Sequence, residues 1–195
     1  VAKYLTQTEF SSSEDFRENY KVIVPERFNF SYDVLDVLAK ESANEKALVW
    51  CNDEDEERIF SYSEIKTYSE KAASFFQEIG IKRGDKVMLI LKRRYEFWFA
   101  LLGLHRIGAI AVPATHMLTK DDLVYRNNAA SIKMIVAAYD EKVMEQIEAS
   151  LEESKSVELL VSVSGISGLY ENSFYNKKRD GWIDFNSGLE EAKDF

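Results

Sequence analysis

One cysteine, two histidines and no apolar run of membrane-spanning length narrow the classes to which this 195-residue chain can belong. Cys51 by itself cannot build an internal disulfide framework, and a single thiol fits a reducing compartment. A zinc site draws three or four ligands from Cys, His and carboxylate at close spacing, and His105, His116 and the distant Cys51 do not supply it. No apolar stretch reaches the ~18 residues of a membrane span, and the longest is broken by Gly103 and His105. Positive charge is also short. Lys and Arg number 25 against 34 Asp and Glu, for a net charge of −9. A general nucleic-acid or membrane-surface binder favours a basic face, so both classes are set aside. The first residues, VAKYLTQTEFSSSEDF, have neither the cationic start nor the apolar centre of a secretory signal. A cytoplasmic globular domain is the expectation.

What is present is a regular alternation. Residues 1–30 are polar and mixed, and read as an arm or short helix on the outside. Ser31 is placed to cap a helix running to about Ser42, with Tyr32, Leu35, Leu38 and Ala39 at helical spacing. Ala47–Cys51 and Arg58–Phe60 read as a hairpin around the acidic turn Asn52–Glu57. That turn lacks the alternating ligands and central glycine of a calcium loop, so a solvated acidic turn is the better reading. Ser61 and Glu64 make a capping box, and the helix they start should end on Gly80. Residues 80–117 then hold a βαβ unit. Val87–Leu91 suits a buried parallel strand, Tyr95–Ile107 a helix apolar on nearly all sides and hence buried, and Ala109–Val112 a second strand ending at Pro113. Thr119 and Asp122 repeat the capping logic for a helix to about Ala130. A strand at Lys133–Ala137, a helix at Glu141–Glu152 and a strand at Val157–Val163 follow. Beyond Ser164 the pattern is loop-like until a short helix at Ser187–Asp194. Strands and helices in this order predict an α/β, doubly wound, mostly parallel sheet flanked by helices, with a small N-terminal β-hairpin.

Few residues stand out as carriers of chemistry. His105 lies in an apolar helix and reads as a hydrogen-bonded core histidine. No Gly-x-Ser-x-Gly elbow, Walker phosphate loop or dinucleotide fingerprint is present. Ser162–Gly168 is rich in small residues but has no cation before Lys177, and reads as an exit loop. Lys92, Arg93 and Arg94 end a parallel strand, at the edge where open α/β sheets bind ligands. They could attract an anion such as a nucleotide or CoA, or they could be a solvated or ion-paired strand end. Without a second phosphate element the latter is favoured. The loop from Pro113 leaves the next strand at the same edge. Pro113 stiffens it, Ala114 and Thr115 permit close backbone approach, and His116 and Met117 could wall a pocket or pack on the following helix.

Two blocks carry a family likeness: Phe60-Ser-Tyr-Ser-Glu-Ile65 with Gly80-Ile-Lys-Arg-Gly-Asp-Lys-Val87, and Leu104-His-Arg-Ile-Gly-Ala-Ile-Ala-Val-Pro113. They resemble the early motifs of the adenylate-forming superfamily of acyl-CoA synthetases, luciferases and adenylation domains. Pro113–Leu118 with Asp122, Tyr125 and Arg126, and Gly181–Phe185, look like its medium-chain acyl-CoA synthetase branch. The resemblance implies a parent enzyme using ATP, Mg²⁺ and CoA to activate a medium-chain or branched carboxylic acid. Residues 31–195 would then be the first, incomplete α/β subdomain of an AMP-binding domain, behind an arm at 1–30. The family's phosphate loop, its nucleotide and Mg²⁺ segment, its ribose-binding Asp and its catalytic Lys have no match in this chain. The piece is therefore expected to be inactive alone, to need the remainder of its own chain, and to self-associate through an exposed apolar face. No catalytic residue or metal ligand is assigned. Pro113, Ala114 and Thr115 correspond to a loop beside the CoA nucleotide, although acetyl-CoA synthetase relatives have an aromatic residue and two glycines there. A noncatalytic nucleotide- or protein-binding module, and an adenylation domain charging a carrier protein, are the competing readings.

Overall fold

The computed structural model describes residues 2–53, 55–164 and 179–195. An isolated antiparallel bridge between Leu5 and Val22 closes the start of the chain into a loop. Inside it lies α1 (Ser13–Asn19), capped by the Ser12 hydroxyl, which accepts from the Asp15 N–H at 3.1 Å. The helix buries none of its residues. Its aromatic side chains gather locally instead: Phe16 stacks on Tyr20 at 4.8 Å and meets Phe10 edge-on. The segment is tied to the body by the Tyr4 hydroxyl, which donates to the Asp33 carbonyl at 3.1 Å, and by the Asn29 amide, which donates to the His105 carbonyl at 2.7 Å.

The next helix does not start as its sequence predicts. Asn29, not Ser31, provides the cap. The Asn29 side-chain carbonyl accepts from the Ser31 N–H at 3.0 Å, and the Asn29 backbone N–H donates to the Asp33 carboxylate at 2.7 Å. Ser31 is fully buried, and its hydroxyl donates to the Leu102 carbonyl at 2.9 Å. A tertiary contact has taken the side chain that local pattern assigned to capping. Residues Ser31–Leu35 form a wide π turn that tightens into α2 (Asp36–Glu41).

The hairpin follows the expected pairing, with β1 (Lys46–Cys51) antiparallel to β2 (Glu57–Ser61) and Val49 opposite Ile59. Both halves of the predicted box at the start of α3 (Tyr62–Glu78) are made. Glu64 accepts from the Ser61 backbone and side chain, which holds its carboxyl below the usual range. Gly80, just past the helix, sits at φ +95°, a conformation that favours glycine.

The main sheet is built from β3 (Lys86–Ile90), β4 (Ile110–Pro113), β5 (Met134–Ala138), β6 (Leu159–Val163) and β7 (Ile183–Asp184). Its order is β4-β3-β5-β6-β7, and every pairing is parallel. Four helices cross between these strands or follow them: α4 (Glu96–Arg106), α5 (Lys120–Ala130), α6 (Glu141–Ser150) and α7 (Phe185–Glu191). Strand periodicity divides the core in two. Val87, Leu89, Met134, Val136, Val161 and Val163 face the α3, α4 and α7 layer. Met88, Ile90, Ile135, Ala137 and Leu160 face α5 and α6. Both faces of the sheet are covered, which is why its strands read as continuous apolar runs.

Four details differ from the sequence reading. β7 was hidden in a stretch that reads as loop. It is two residues long and is held by its pairing with Val161 and Ser162, not by its own composition. The last helix starts earlier than expected because Asp184 caps it, accepting from the Ser187 N–H at 2.7 Å. The sixth helix stops at Ser150 and continues only as the tight turn Leu151–Glu153. And α4 is not buried all round: Phe99, Ala100, Leu102 and Leu104 are inside, but Trp98 is 45% exposed. One face rests on α3 and the sheet, and Trp98 is the one exposed residue of the helix.

At the far end of α4, Arg106 is 1% exposed along its side chain. It donates to Asp36 at 2.5 and 3.1 Å and to the Ser69 hydroxyl at 2.8 Å, and it lies over the Tyr32 ring at 5.2 Å. This arginine of the second family-like block thus locks α2, α3 and α4 together. Removing one partner of a buried pair of this kind leaves an uncompensated charge.

Candidate ligand cleft

The sheet order places a switch point between β3 and β5. The chain leaves β3 through α4 on one face and leaves β5 through α6 on the other, so the two exits diverge and open a crevice at the carboxyl edge. A cleft of about 800 Å³ lies at this edge beside the end of β3. Its wall joins Leu89, Leu91, Lys92 and Arg93 to Phe97 of α4, to Pro113, Ala114, Thr115 and His116 after β4, and to Asp53 of the hairpin turn. The loop and the cation run were separate candidates in the sequence. The parallel pairing of Leu89 with Pro113, and the hydrogen bond from the Ala114 N–H to the Leu89 carbonyl at 2.9 Å, set them side by side.

Within the cleft Pro113 and Thr115 are exposed and Ala114 is half-buried. The Thr115 hydroxyl accepts from the Met117 N–H at 3.3 Å, which shapes the turn out of the strand. Met117 itself is 74% exposed and is not among the residues that wall the cleft; His116 is.

The three cations divide in a way no local pattern could show. Lys92 adopts a left-handed backbone, φ +52°, unusual for a side-chain-bearing residue. Its ammonium donates to Asp140 at 2.5 Å and holds that carboxyl below the usual range. Asp140 also caps α6, accepting from the Val143 N–H at 3.2 Å, so this pair spans the switch point. Arg94 turns inward and pairs with Glu96 at 2.9 Å, whose side chain is 2% exposed. It also donates to the Ser164 carbonyl at 3.1 Å, at the end of β6. The ion-paired reading of the strand end holds for these two. Arg93 is exposed, lines the cleft and makes no side-chain hydrogen bond or ion pair among the described residues.

The hairpin positions this run. The Trp50 indole donates to the Arg93 carbonyl at 2.7 Å. Arg58 donates to the Tyr95 hydroxyl at 2.7 Å, with its guanidinium over the Phe60 and Tyr95 rings. Sequence reading missed Trp50, Arg58 and Tyr95. Trp50 sits in an apolar strand run and Tyr95 opens an apolar helix run, so neither stood out along the chain.

Two other candidates fare differently. His105 is half-buried, and burial pushes its pKa down. Its Nδ1 has no hydrogen-bond partner among the described residues, which corrects the expectation of a hydrogen-bonded core histidine. Of the small-residue stretch Ser162–Gly168, residues 165–168 lie outside the described residues. Ser164 accepts from Arg94 and from the Asn186 amide at its carbonyl, while its hydroxyl donates to Asp184. Among the described residues no group of three carboxylate, His or Cys side chains could hold a metal ion, and no helix is long and apolar enough to cross a membrane.

A model of the AMP-binding enzyme family matches residues 35–188. This chain belongs to the AMP-binding enzyme family. It is 31% identical over 195 residues to the human mitochondrial acyl-coenzyme A synthetase ACSM3, covering 97% of this chain and 31% of that relative. It is 33% identical over 177 residues to the mouse mitochondrial acyl-coenzyme A synthetase ACSM4, covering 88% of this chain and 28% of the relative. The chain thus spans less than a third of the length of these curated relatives. Among solved structures, it superposes on the anthranilate CoA ligase AuaEII in complex with anthranoyl-AMP with a TM-score of 0.72. That match has 18% identity and covers 87% of this chain and 29% of the other. A benzoate CoA ligase from Burkholderia xenovorans LB400 gives a TM-score of 0.65 at 20% identity, covering 86% and 29%. The adenylate-forming resemblance and the α/β fold read from the sequence are both borne out.

Proposed function

We propose that this chain is the first α/β subdomain, behind an arm at residues 1–30, of an AMP-forming acyl-CoA synthetase acting on medium-chain or branched carboxylic acids. In the first step a carboxylate oxygen attacks the α-phosphorus of ATP and pyrophosphate leaves, giving an acyl-adenylate. In the second a CoA thiolate attacks the acyl carbon and AMP leaves, giving the thioester. The observation that carries the reading is the cleft at the carboxyl edge of the sheet, in a chain of the AMP-binding enzyme family. There Pro113, Ala114 and Thr115 meet Lys92 and Arg93.

The fit of the groups this chemistry needs is uneven. A wall of small residues with an uncommitted arginine suits the anionic nucleotide end of CoA, and Pro113, Ala114 and Thr115 are assigned beside it. No carboxylate cluster for Mg²⁺ is found among the described residues, and the sequence has no phosphate loop for ATP. This part of the protein therefore contributes to holding CoA rather than to adenylate formation. An exposed free thiol at Cys51 is compatible with a reducing compartment, either cytoplasm or the mitochondrial setting named for the relatives.

The test is acid-dependent ATP–pyrophosphate exchange by the full-length gene product over straight and branched acids of graded length, followed by thioester formation with CoA. Exchange with CoA-dependent thioester release supports the proposal. Exchange with transfer only to a carrier protein would replace it with an adenylation domain. No exchange with any acid would overturn it in favour of a binding module. Exchange by the 195-residue chain alone would contradict the assignment of adenylate formation to other parts of the protein.

A further inference from the structure

We propose that Arg93 is the phosphate anchor of the cleft, the side chain that grips a phosphate group of the bound nucleotide. The inference rests on the proposed function for the identity of its ligand, and on the geometry alone for the residue. Three consecutive cations end β3, and two are already neutralised: Lys92 by Asp140, and Arg94 by Glu96 with the Ser164 carbonyl. Arg93 alone keeps its donors free among the described residues while lining the cleft.

Its backbone is held although its side chain is not. The Trp50 indole binds its carbonyl, the left-handed Lys92 precedes it, and the Arg94 N–H closes a turn on the Leu91 carbonyl at 3.1 Å. Binding an anion therefore orders one side chain and not a loop, which keeps the entropic cost small. A guanidinium presents a planar fork of donors that matches phosphate oxygens, and charge-assisted bonds of this kind are stronger than neutral ones. The opposite wall, from Pro113 to Thr115, has no bulk to block the approach. Phe97 offers an apolar side, and His116 is exposed beside it. Asp53 is the one carboxylate among the lining residues, and it opposes an anion. The cleft thus predicts opposite effects from two substitutions.

The experiment uses the full-length protein and two probes by calorimetry: the adenosine bisphosphate head group of CoA, and ATP. Arg93→Met should weaken the head-group probe about 10-fold or more, as expected for loss of a charged hydrogen bond. Arg93→Lys should recover part of that loss, and Asp53→Asn should tighten binding. If ATP alone loses affinity, the anchored phosphate belongs to ATP and the anchor stands. If both probes bind Arg93→Met as they bind wild type, the proposal is overturned. An unchanged urea midpoint for Arg93→Met excludes misfolding as the cause, since the side chain has no partner among the described residues. The two readings fail separately. Normal acyl-CoA formation with unchanged probe affinity removes the anchor and leaves the enzyme. Lost probe affinity in a protein without exchange activity removes the enzyme and leaves the anchor.

Discussion

Replacing Gly103 by alanine tests a close contact between α3 and α4 in the core. A Cβ built there would stand 2.7 Å from the Cβ of Ala72 and 2.9 Å from the backbone nitrogen of Ala73. Carbon atoms in contact prefer ~3.5–4.0 Å, so α3 and α4 would have to part by about 1 Å where they meet. Ala72 and Ala73 are fully buried, and a backbone nitrogen cannot rotate aside. Overpacking of this kind costs ~1–3 kcal/mol, and a backbone obstacle argues for the upper half of that range. Helix propensity works the other way, because alanine gains ~0.8–1 kcal/mol over glycine in a helix interior. The expected net effect is a loss of about 1–2 kcal/mol. With an m-value of about 2 kcal/mol/M, the urea midpoint of the chain should fall by about 0.5–1 M. Combining it with Ala72→Gly removes the nearest clash, so the double variant should lose less than the sum of the singles. A midpoint that stays level or rises would refute the reasoning, for propensity would then have outweighed a contact that is not tight.

Other expectations can be checked with the same preparations. Arg179 hydrogen-bonds Glu148 at 2.6 Å through two nitrogens, and this holds the Glu148 carboxyl below its usual range. Its contribution is then complete at neutral pH and is lost as pH falls below about 4.3 and through the folded value. Glu148→Gln should lose stability at pH 7 and show a smaller further loss on acidification, measured as urea midpoints. Burial lowers the pKa of His105, so the neutral ring is favoured in the fold and stability declines as pH falls below about 6.5. His105→Gln should flatten that part of the stability profile; an unchanged slope would place the titration elsewhere. The sequence expectation of self-association is tested by sedimentation velocity, where a concentration-dependent boundary is the expected outcome. A strictly monomeric boundary would contradict it.

What could be read from the sequence was local. The boxes at Ser61 with Glu64 and at Thr119 with Asp122 are both made, because a cap needs only partners three residues apart. Gly80 ends its helix where a left-handed residue is needed, and the apolar runs of β3, β5 and β6 became buried parallel strands. Where a partner distant in sequence had a claim on a side chain, local reading failed. Ser31 bonds Leu102 and leaves its cap to Asn29. Ile183 and Asp184 become a strand only by lying beside Val161 and Ser162. Trp98 is 45% exposed although it lies in a run that reads as buried.

The candidate site divides along the same line. By itself the sequence determined that cations end one parallel strand and that a proline-led loop of small residues leaves another, since strand ends and loop composition are read along the chain. It also carried the family motifs. Only the tertiary structure decided that the two segments share one cleft, that Asp140 and Glu96 neutralise Lys92 and Arg94, and that Arg93 is left over. Charge pairing between residues 92 and 140 depends on which strands lie side by side. That follows from the order β4-β3-β5, set by burial on both faces of the sheet and not by any neighbouring residue.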